Sequence, residues 1–220
     1  MQGGFNGAAD GKFVMKRISR ILTAIFLSLA LAFASICFFL FFRSMQEIDA
    51  EDEFARIEYT HLREQVGVFA CVDEPQGIDW AALRAINPDV VGWIEVPGTT
   101  ISYPIVQGTD NDHYLYHTFT GARNASGAIF LDHRDSPDFH SRAMIYGHNV
   151  RNGSMFAPLL GWVGDIFLIH TPEDVMKIAV TWRGVMPLAD IVAIEDDIVL
   201  VTCVNGRPDV RWVVRGNVVS

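Results

Sequence analysis

VVGWIEVPGTTISYPIVQ, residues 90–107, decides the fold class. Two short runs rich in Val, Ile, Trp and Tyr, 90–96 and 101–107, are divided at Pro97-Gly98, a turn-forming pair. The same texture recurs downstream. AIFLD (128–132), RAMIYGH (142–148), IFLIHT (166–171), VMKIAVTW (175–182), DIVLVTCV (197–204) and RWVVRGNVV (211–219) bring the set to about eight strands. No long helical pattern lies between them, which disfavours a parallel sheet of βαβ units. The chain is therefore mainly β from Val90 onward. Spacing alone leaves a closed barrel and a sandwich both open.

Upstream the pattern is helical. Asp79 reads as the N-cap of a short helix over 79–86, and Pro88 prevents continuation past Asn87. Residues 45–66 read as a stalk helix, with Met45, Ile48, Phe54, Ile57, Leu62 and Val66 near one stripe. Before it, ILTAIFLSLALAFASICFFLFF (21–42) is 22 residues without a charge. At about 1.5 Å per residue, that helix crosses the roughly 30 Å hydrocarbon core. Lys12, Lys16, Arg17 and Arg20 precede it, whereas Glu47, Asp49, Glu51, Asp52 and Glu53 follow. The positive-inside rule then places the N-terminus in the cytoplasm and the remainder outside, a single-pass topology. The run is longer than a signal-peptide core and ends in FFLFF rather than a small-x-small site, so an uncleaved anchor is expected. Met15, followed by Lys16-Arg17, is an alternative start.

Composition sets outer bounds. The 220 residues suit one globular domain plus extra chain, and half of them are hydrophobic. The net charge of −9 becomes −12 once the four basic residues and one acidic residue of 1–42 are set aside. Such an acidic exterior excludes a general nucleic-acid binder. Three cysteines make no closed disulfide framework. No Cys partner stands at ligand spacing from His61, His113, His117, His133, His140 or His170, so no dedicated metal site is expected, and the thiol chemistry read below would need no cofactor. Cys37 lies in the apolar span as a lipid-facing or packing residue. Cys71 is expected as a free thiol or packing residue rather than a disulfide partner of Cys203.

Cys203 ends the apolar run IVLVTCV, where a cysteine most often serves as a small core hydrophobe. Its surroundings point elsewhere. A polar turn, Asn205-Gly206-Arg207-Pro208, follows, and Arg211 then opens the next strand. A guanidinium across a hairpin from a thiol favours the nucleophilic thiolate. His148, at the end of an apolar strand and before a polar turn, is a candidate acid or base; capping of that turn is the bland alternative. The fold can join a Cys and a His distant in sequence. The chemistry would be thiolate attack on a carbonyl, proton donation by imidazole, and cationic support of the oxyanion.

These residues resemble a known family. NPDVVGWIEVPGTTISYPIVQGTDNDHYL (87–115), GAIFLDHRDSPDF (127–139), IYGHNVRNGSMF (145–156), LVTC (200–203) and RWVV (211–214) together resemble a class B sortase, a membrane-anchored cysteine transpeptidase of Gram-positive bacteria. The resemblance implies a closed eight-stranded barrel with an N-terminal helical extension. With the apolar span and helical stalk read above, it divides the chain into four segments: 1–20 cytoplasmic, 21–42 transmembrane, 43–86 helical extension, and 87–220 catalytic barrel. Cys203 would attack the threonine carbonyl of a C-terminal sorting signal, with His148 as general acid or base. Arg211 would steady the oxyanion, and Arg207, in the turn, fits that role less well. Asn111, Leu115 and Val201 would line the signal groove. The implied partners are sorting-signal-bearing secreted proteins and an amine acceptor, either a peptidoglycan precursor or a pilin lysine. The membrane would hold the enzyme through its N-terminal helix.

One departure stands out. His148 and Cys203 are only 55 residues apart, and RGVMPLADIVAIED (183–196) replaces the long helical insertion usual in class B. Part of the groove wall is then reduced. Two other readings follow: a catalytically impaired module that holds sorting signals, and a non-enzymatic membrane-anchored β-domain. Thiol reactivity separates the second of these from the sortase readings.

Overall fold

The structure, a computed structural model, describes residues 7–66 and 77–219. Cys71 lies outside the described residues. The chain divides into two compact units, residues up to Asp49 and residues from Ala50 onward. The described residues of the first, from Gly7 on, belong to helix α1 (Gly7–Gln65). Leu22, Phe26, Phe33 and Phe38 are among its exposed side chains, and so is Cys37. This part of α1 is long and apolar enough to cross a membrane.

The second unit is a closed barrel of β1 (Val90–Glu95), β2 (Ser102–Val106), β3 (Ile129–Leu131), β4 (Ala143–Tyr146), β5 (Ile166–His170), β6 (Val175–Pro187), β7 (Ile198–Val204) and β8 (Arg207–Val219). Around the barrel the order is β1-β2-β3-β4-β7-β8-β6-β5. Only β2–β3 and β4–β7 run parallel. Closure, rather than the sandwich that spacing left open, pairs both edges and leaves no strand unsatisfied. The Pro97-Gly98 turn that divides β1 from β2 is closed by the Thr99 N–H donating to the Val96 carbonyl at 3.2 Å. Gly98 sits at φ +78°, which a glycine in a type II turn adopts without strain.

The barrel interior holds Trp93, Ile105, Ile129, Phe167, Ile198 and Leu200, all fully buried. Asp79 caps α2 (Trp80–Ile86) by accepting from the Ala82 N–H at 2.9 Å. The predicted stripe on 45–66 needs correction. Phe54 and Ile57 are exposed, whereas the buried face runs through Asp52, Ala55, Tyr59, Leu62 and Val66. That 3-4-3-4 spacing is a regular helical stripe. It includes an acid and an alanine, so large apolar residues alone did not reveal it.

The 183–196 link also differs from its expected form. Arg183–Pro187 extends β6, pairing with β8 as far as Pro187 opposite Val210. The chain then makes a 3₁₀ helix over Leu188–Ala193. Its Ile191, with Ile194, packs on Met144, Val199, Val201 and Val213, forming a second apolar cluster apart from the main core. Val199 and Val201 thus occupy one face of β7, while Ile198 and Leu200 occupy the other, as strand alternation requires.

Candidate active site

Three adjacent strands bring the candidate residues into a row. Parallel pairing of β4 with β7 sets Tyr146 beside Val201. The Gly147 N–H donates to the Val201 carbonyl at 3.2 Å, and the Asn149 amide donates to the Cys203 carbonyl at 3.0 Å. Continuing that register by two residues carries His148 alongside Cys203. Antiparallel pairing of β7 with β8 sets Cys203 directly opposite Arg211. Arg207 instead stands opposite Val204 and is exposed.

His148, Cys203 and Arg211 line one groove of about 470 Å³, together with Leu115, Val201 and Tyr146. Leu188, Ile191 and Val192 of the 3₁₀ helix form an apolar wall of the same groove. The short link therefore still supplies a wall, although as a single short helix. Cys203 is a free thiol and exposed. His148 and Arg211 are half-buried. The Arg211 Nη1 donates to the Pro208 carbonyl at 2.9 Å and the Val210 carbonyl at 2.8 Å, which pins the guanidinium against its own hairpin.

The imidazole is fixed by a backbone group. His148 Nε2 lies 2.8 Å from the Leu115 carbonyl oxygen. A carbonyl only accepts, so Nε2 carries the hydrogen, and Nδ1 is left to exchange a proton with a reactant. Leu115 therefore contributes its carbonyl as well as a groove-lining position. Gly127 makes this approach possible. It sits at φ +57°, and a Cβ there would fall 2.8 Å from the Leu115 oxygen and 3.1 Å from His148 Cδ2.

Asn111 is not among the groove-lining residues. Its amide donates to Asp132 Oδ2 at 3.1 Å, and its Oδ1 accepts from the His133 N–H at 3.0 Å. Asp132, which the motif reading missed, is 1% exposed at the end of β3. It accepts from the Arg134 guanidinium at 2.9 and 2.8 Å and from the Tyr146 hydroxyl at 3.2 Å. Asn111 thus reaches the groove only through Asp132 and Tyr146. A charged residue closing an apolar strand, and a Tyr two positions before His148 on the same strand, were the available signals.

The Arg134 guanidinium, above all, holds the Asp132 carboxyl well below the usual carboxylate range, against the opposing effect of burial. Burial, and then the Asp132 charge, push the Tyr146 phenol up. Folding thus favours the Asp132 carboxylate. Its stabilisation is present above the unfolded value near about 4 and is lost as pH falls below that. Asp132→Ala is expected to cost about 1–3 kcal/mol at neutral pH, since the half-buried Asn111 amide and Tyr146 hydroxyl lose their acceptor. Urea denaturation should show that deficit narrowing at about pH 3. A deficit independent of pH would contradict the assignment.

His113 and His117 stand four residues apart with rings stacked at 4.4 Å. His117 Nδ1 is engaged by the His113 carbonyl at 2.8 Å. Among the described residues, no group of three His, Cys, Asp or Glu side chains is placed to hold a metal ion.

Comparison with known proteins gives a consistent result. A sortase domain model matches residues 94–219. A sortase B from Listeria monocytogenes is 42% identical over 91 residues, covering 41% of this chain and 37% of that protein. A sortase B from Staphylococcus aureus is 31% identical over 122 residues, covering 53% and 49% respectively. The chain thus spans less than half the length of these curated relatives. Sortase B from Clostridium perfringens superposes with a TM-score of 0.58 at 25% identity, over 64% of this chain and 99% of that one. Sortase B from Bacillus anthracis, in complex with AAEK1, gives 0.66 at 22% identity, over 79% and 100%, a likeness of fold alone.

Proposed function

Because the chain belongs to the sortase family, with its relatives in class B, we propose that it is a membrane-anchored cysteine transpeptidase that cleaves a C-terminal sorting signal after threonine. The observation that carries this reading is the convergence of Cys203, His148 and Arg211 on one groove. The Cys203 thiolate attacks the threonine carbonyl carbon, and the displaced π electrons move to the oxygen. The Arg211 guanidinium stabilises that oxyanion. When the C–N bond breaks, imidazolium His148 gives a proton to the leaving amine. A thioester on Cys203 remains. A second amine, from a peptidoglycan precursor or a pilin lysine, then attacks the thioester and loses its proton to His148. The thiolate is released, and the reaction requires no cofactor.

Topology follows from the charges flanking the apolar span. Residues 1–20 lie in the cytoplasm, 21–42 cross the membrane, 43–86 are the extension that carries the end of α1 and α2, and 87–220 are the extracellular catalytic barrel. Asn111 acts on the groove through Asp132 and Tyr146, while Leu115 and Val201 line it. To test the activity, the full chain in detergent is given a fluorogenic sorting-signal peptide with and without an amine acceptor. Cleavage with an acceptor-dependent second product supports the reading, and cleavage unaffected by Cys203→Ala contradicts it.

The 188–193 wall bears on recognition. Leu188 and Val192 are 52% and 62% exposed, so they leave apolar surface open to residues that flank a bound motif. Each additional 50 Å² or so of apolar burial is worth about 1.3 kcal/mol, roughly tenfold in kcat/KM. A full-length substrate is therefore expected to exceed a pentapeptide of the same motif by about that factor. Equal kcat/KM values would contradict recognition beyond the motif.

A further inference from the structure

Resting on the sortase reading of the groove, we propose that the Asp52–Tyr59 stretch of α1 is a positioning element for the His148 ring. Two chain segments hold His148, one at its ring and one at its backbone. The loop 114–127 contributes the Leu115 carbonyl that receives the Nε2–H. The turn 149–156 follows His148 and returns to it, the Phe156 N–H donating to the His148 carbonyl at 2.9 Å. Asn87 and Asp89 secure the near end of the loop through the Tyr114 hydroxyl, at 2.9 and 2.7 Å. Asn87 also donates to the Phe119 carbonyl at 2.7 Å, and Phe119, Ser126 and Gly127 of the loop and Asn152 of the turn bond to one face of α1.

Asp52 and Tyr59 are seven residues apart, two helical turns, and both are buried. Asp52 Oδ1 accepts from the Ser126 hydroxyl of the loop at 2.9 Å, while its carbonyl accepts from the Asn152 amide of the turn at 3.2 Å. The Tyr59 hydroxyl donates to the Gly127 carbonyl at 3.2 Å and accepts from the Phe119 N–H at 3.1 Å, both in the loop. Its ring meets Tyr103 edge-on at 5.2 Å, and the Tyr103 hydroxyl accepts from the Met155 N–H of the turn at 3.2 Å. Each of the two residues therefore reaches both segments.

Gly127 transmits the hold. Tyr59 grips its carbonyl, and its Cα is packed so closely that a Cβ would lie 2.7 Å from the Tyr114 oxygen and 2.8 Å from the Leu115 oxygen. Such contacts leave no slack, so displacement of Gly127 moves the Leu115 carbonyl. The imidazole then loses the acceptor that fixes its tautomer and its direction. General acid catalysis depends on that geometry, and small misplacements carry large rate costs.

The test uses the full chain in detergent with Tyr59→Phe, Asp52→Ala and Asp52→Asn, all normalised to folded protein by near-UV circular dichroism. Two measurements are made: steady-state cleavage of a sorting-signal peptide, and ¹⁵N resonances of the histidine rings, with His148 assigned by His148→Gln. Tyr59→Phe and Asp52→Ala are expected to lower kcat by roughly tenfold while KM changes by less than about twofold. Asp52→Asn, which keeps an acceptor for Ser126, is expected to retain kcat. The neutral wild-type ring should report a single Nε2–H tautomer, and the two damaging variants a mixture. A wild-type tautomer in both damaging variants overturns the proposal, even if their stability falls. The ring signal needs no substrate, so it decides the positioning separately from turnover. If the wild type cleaves no signal peptide, the sortase reading fails instead.

Discussion

Replacing Cys203 by alanine is expected to abolish sorting-signal cleavage, with a fall in kcat of at least about 10⁴-fold. The exposed thiol is the nucleophile proposed for the groove, so no other group there replaces the covalent step. The fold should survive. Cys203 is the last outward residue of a strand whose inner face, with Ile198 and Leu200, stays intact, so thermal melting should move little. Peptide binding should also persist, because Val201, Leu115 and the apolar wall at Leu188–Val192 are untouched. Fluorogenic cleavage alongside peptide-binding titration checks both halves. Residual turnover near the wild-type level would remove Cys203 from the chemistry.

The second large effect separates two arginines. Arg211→Ala should lower kcat by about 10²–10³-fold, the usual cost of losing an oxyanion-stabilising contact. Arg207→Ala should leave most of the activity. Arg211 stands directly opposite Cys203 and lines the groove, whereas Arg207 is paired with Val204 and points to solvent. Arg211→Lys discriminates further. Lysine keeps the charge but not the planar guanidinium whose Nη1 donates to the Pro208 and Val210 carbonyls, so only partial recovery is expected. Equal losses at positions 207 and 211 would contradict the assignment.

The eight strands were legible because each is a short β-branched run bounded by turn residues. Their ends were less so. β6 continues through Arg183-Gly184-Val185-Met186-Pro187, and β8 begins at Arg207-Pro208-Asp209. Gly, Pro and Asp are poor strand formers, and cross-strand pairing of Val185 with Trp212 and Met186 with Arg211 overrides that propensity. Cys203 and Arg211 could be read as hairpin neighbours. The parallel β4–β7 contact that brings His148 to them is non-local, so the sequence offered His148 and Cys203 as a candidate pair without the strand pairing that joins them. Asn111 shows where a motif falls short: its side chain serves Asp132, and nothing in D-N-x-x-Y-L reveals that buried partner. The apolar wall at 188–193 was equally hidden, because LADIVA reads as a link until Ile191 is seen against Met144 and Val201.

The most direct measurement is intact-protein mass spectrometry after brief mixing of the full chain with a sorting-signal peptide. The account predicts a mass increase equal to the fragment ending in threonine less one water, mapped to Cys203, discharged by an added amine and absent from Cys203→Ala. Peptide cleavage with no such adduct even when amine and water attack are slowed, or an adduct on Cys71 in place of Cys203, would contradict it.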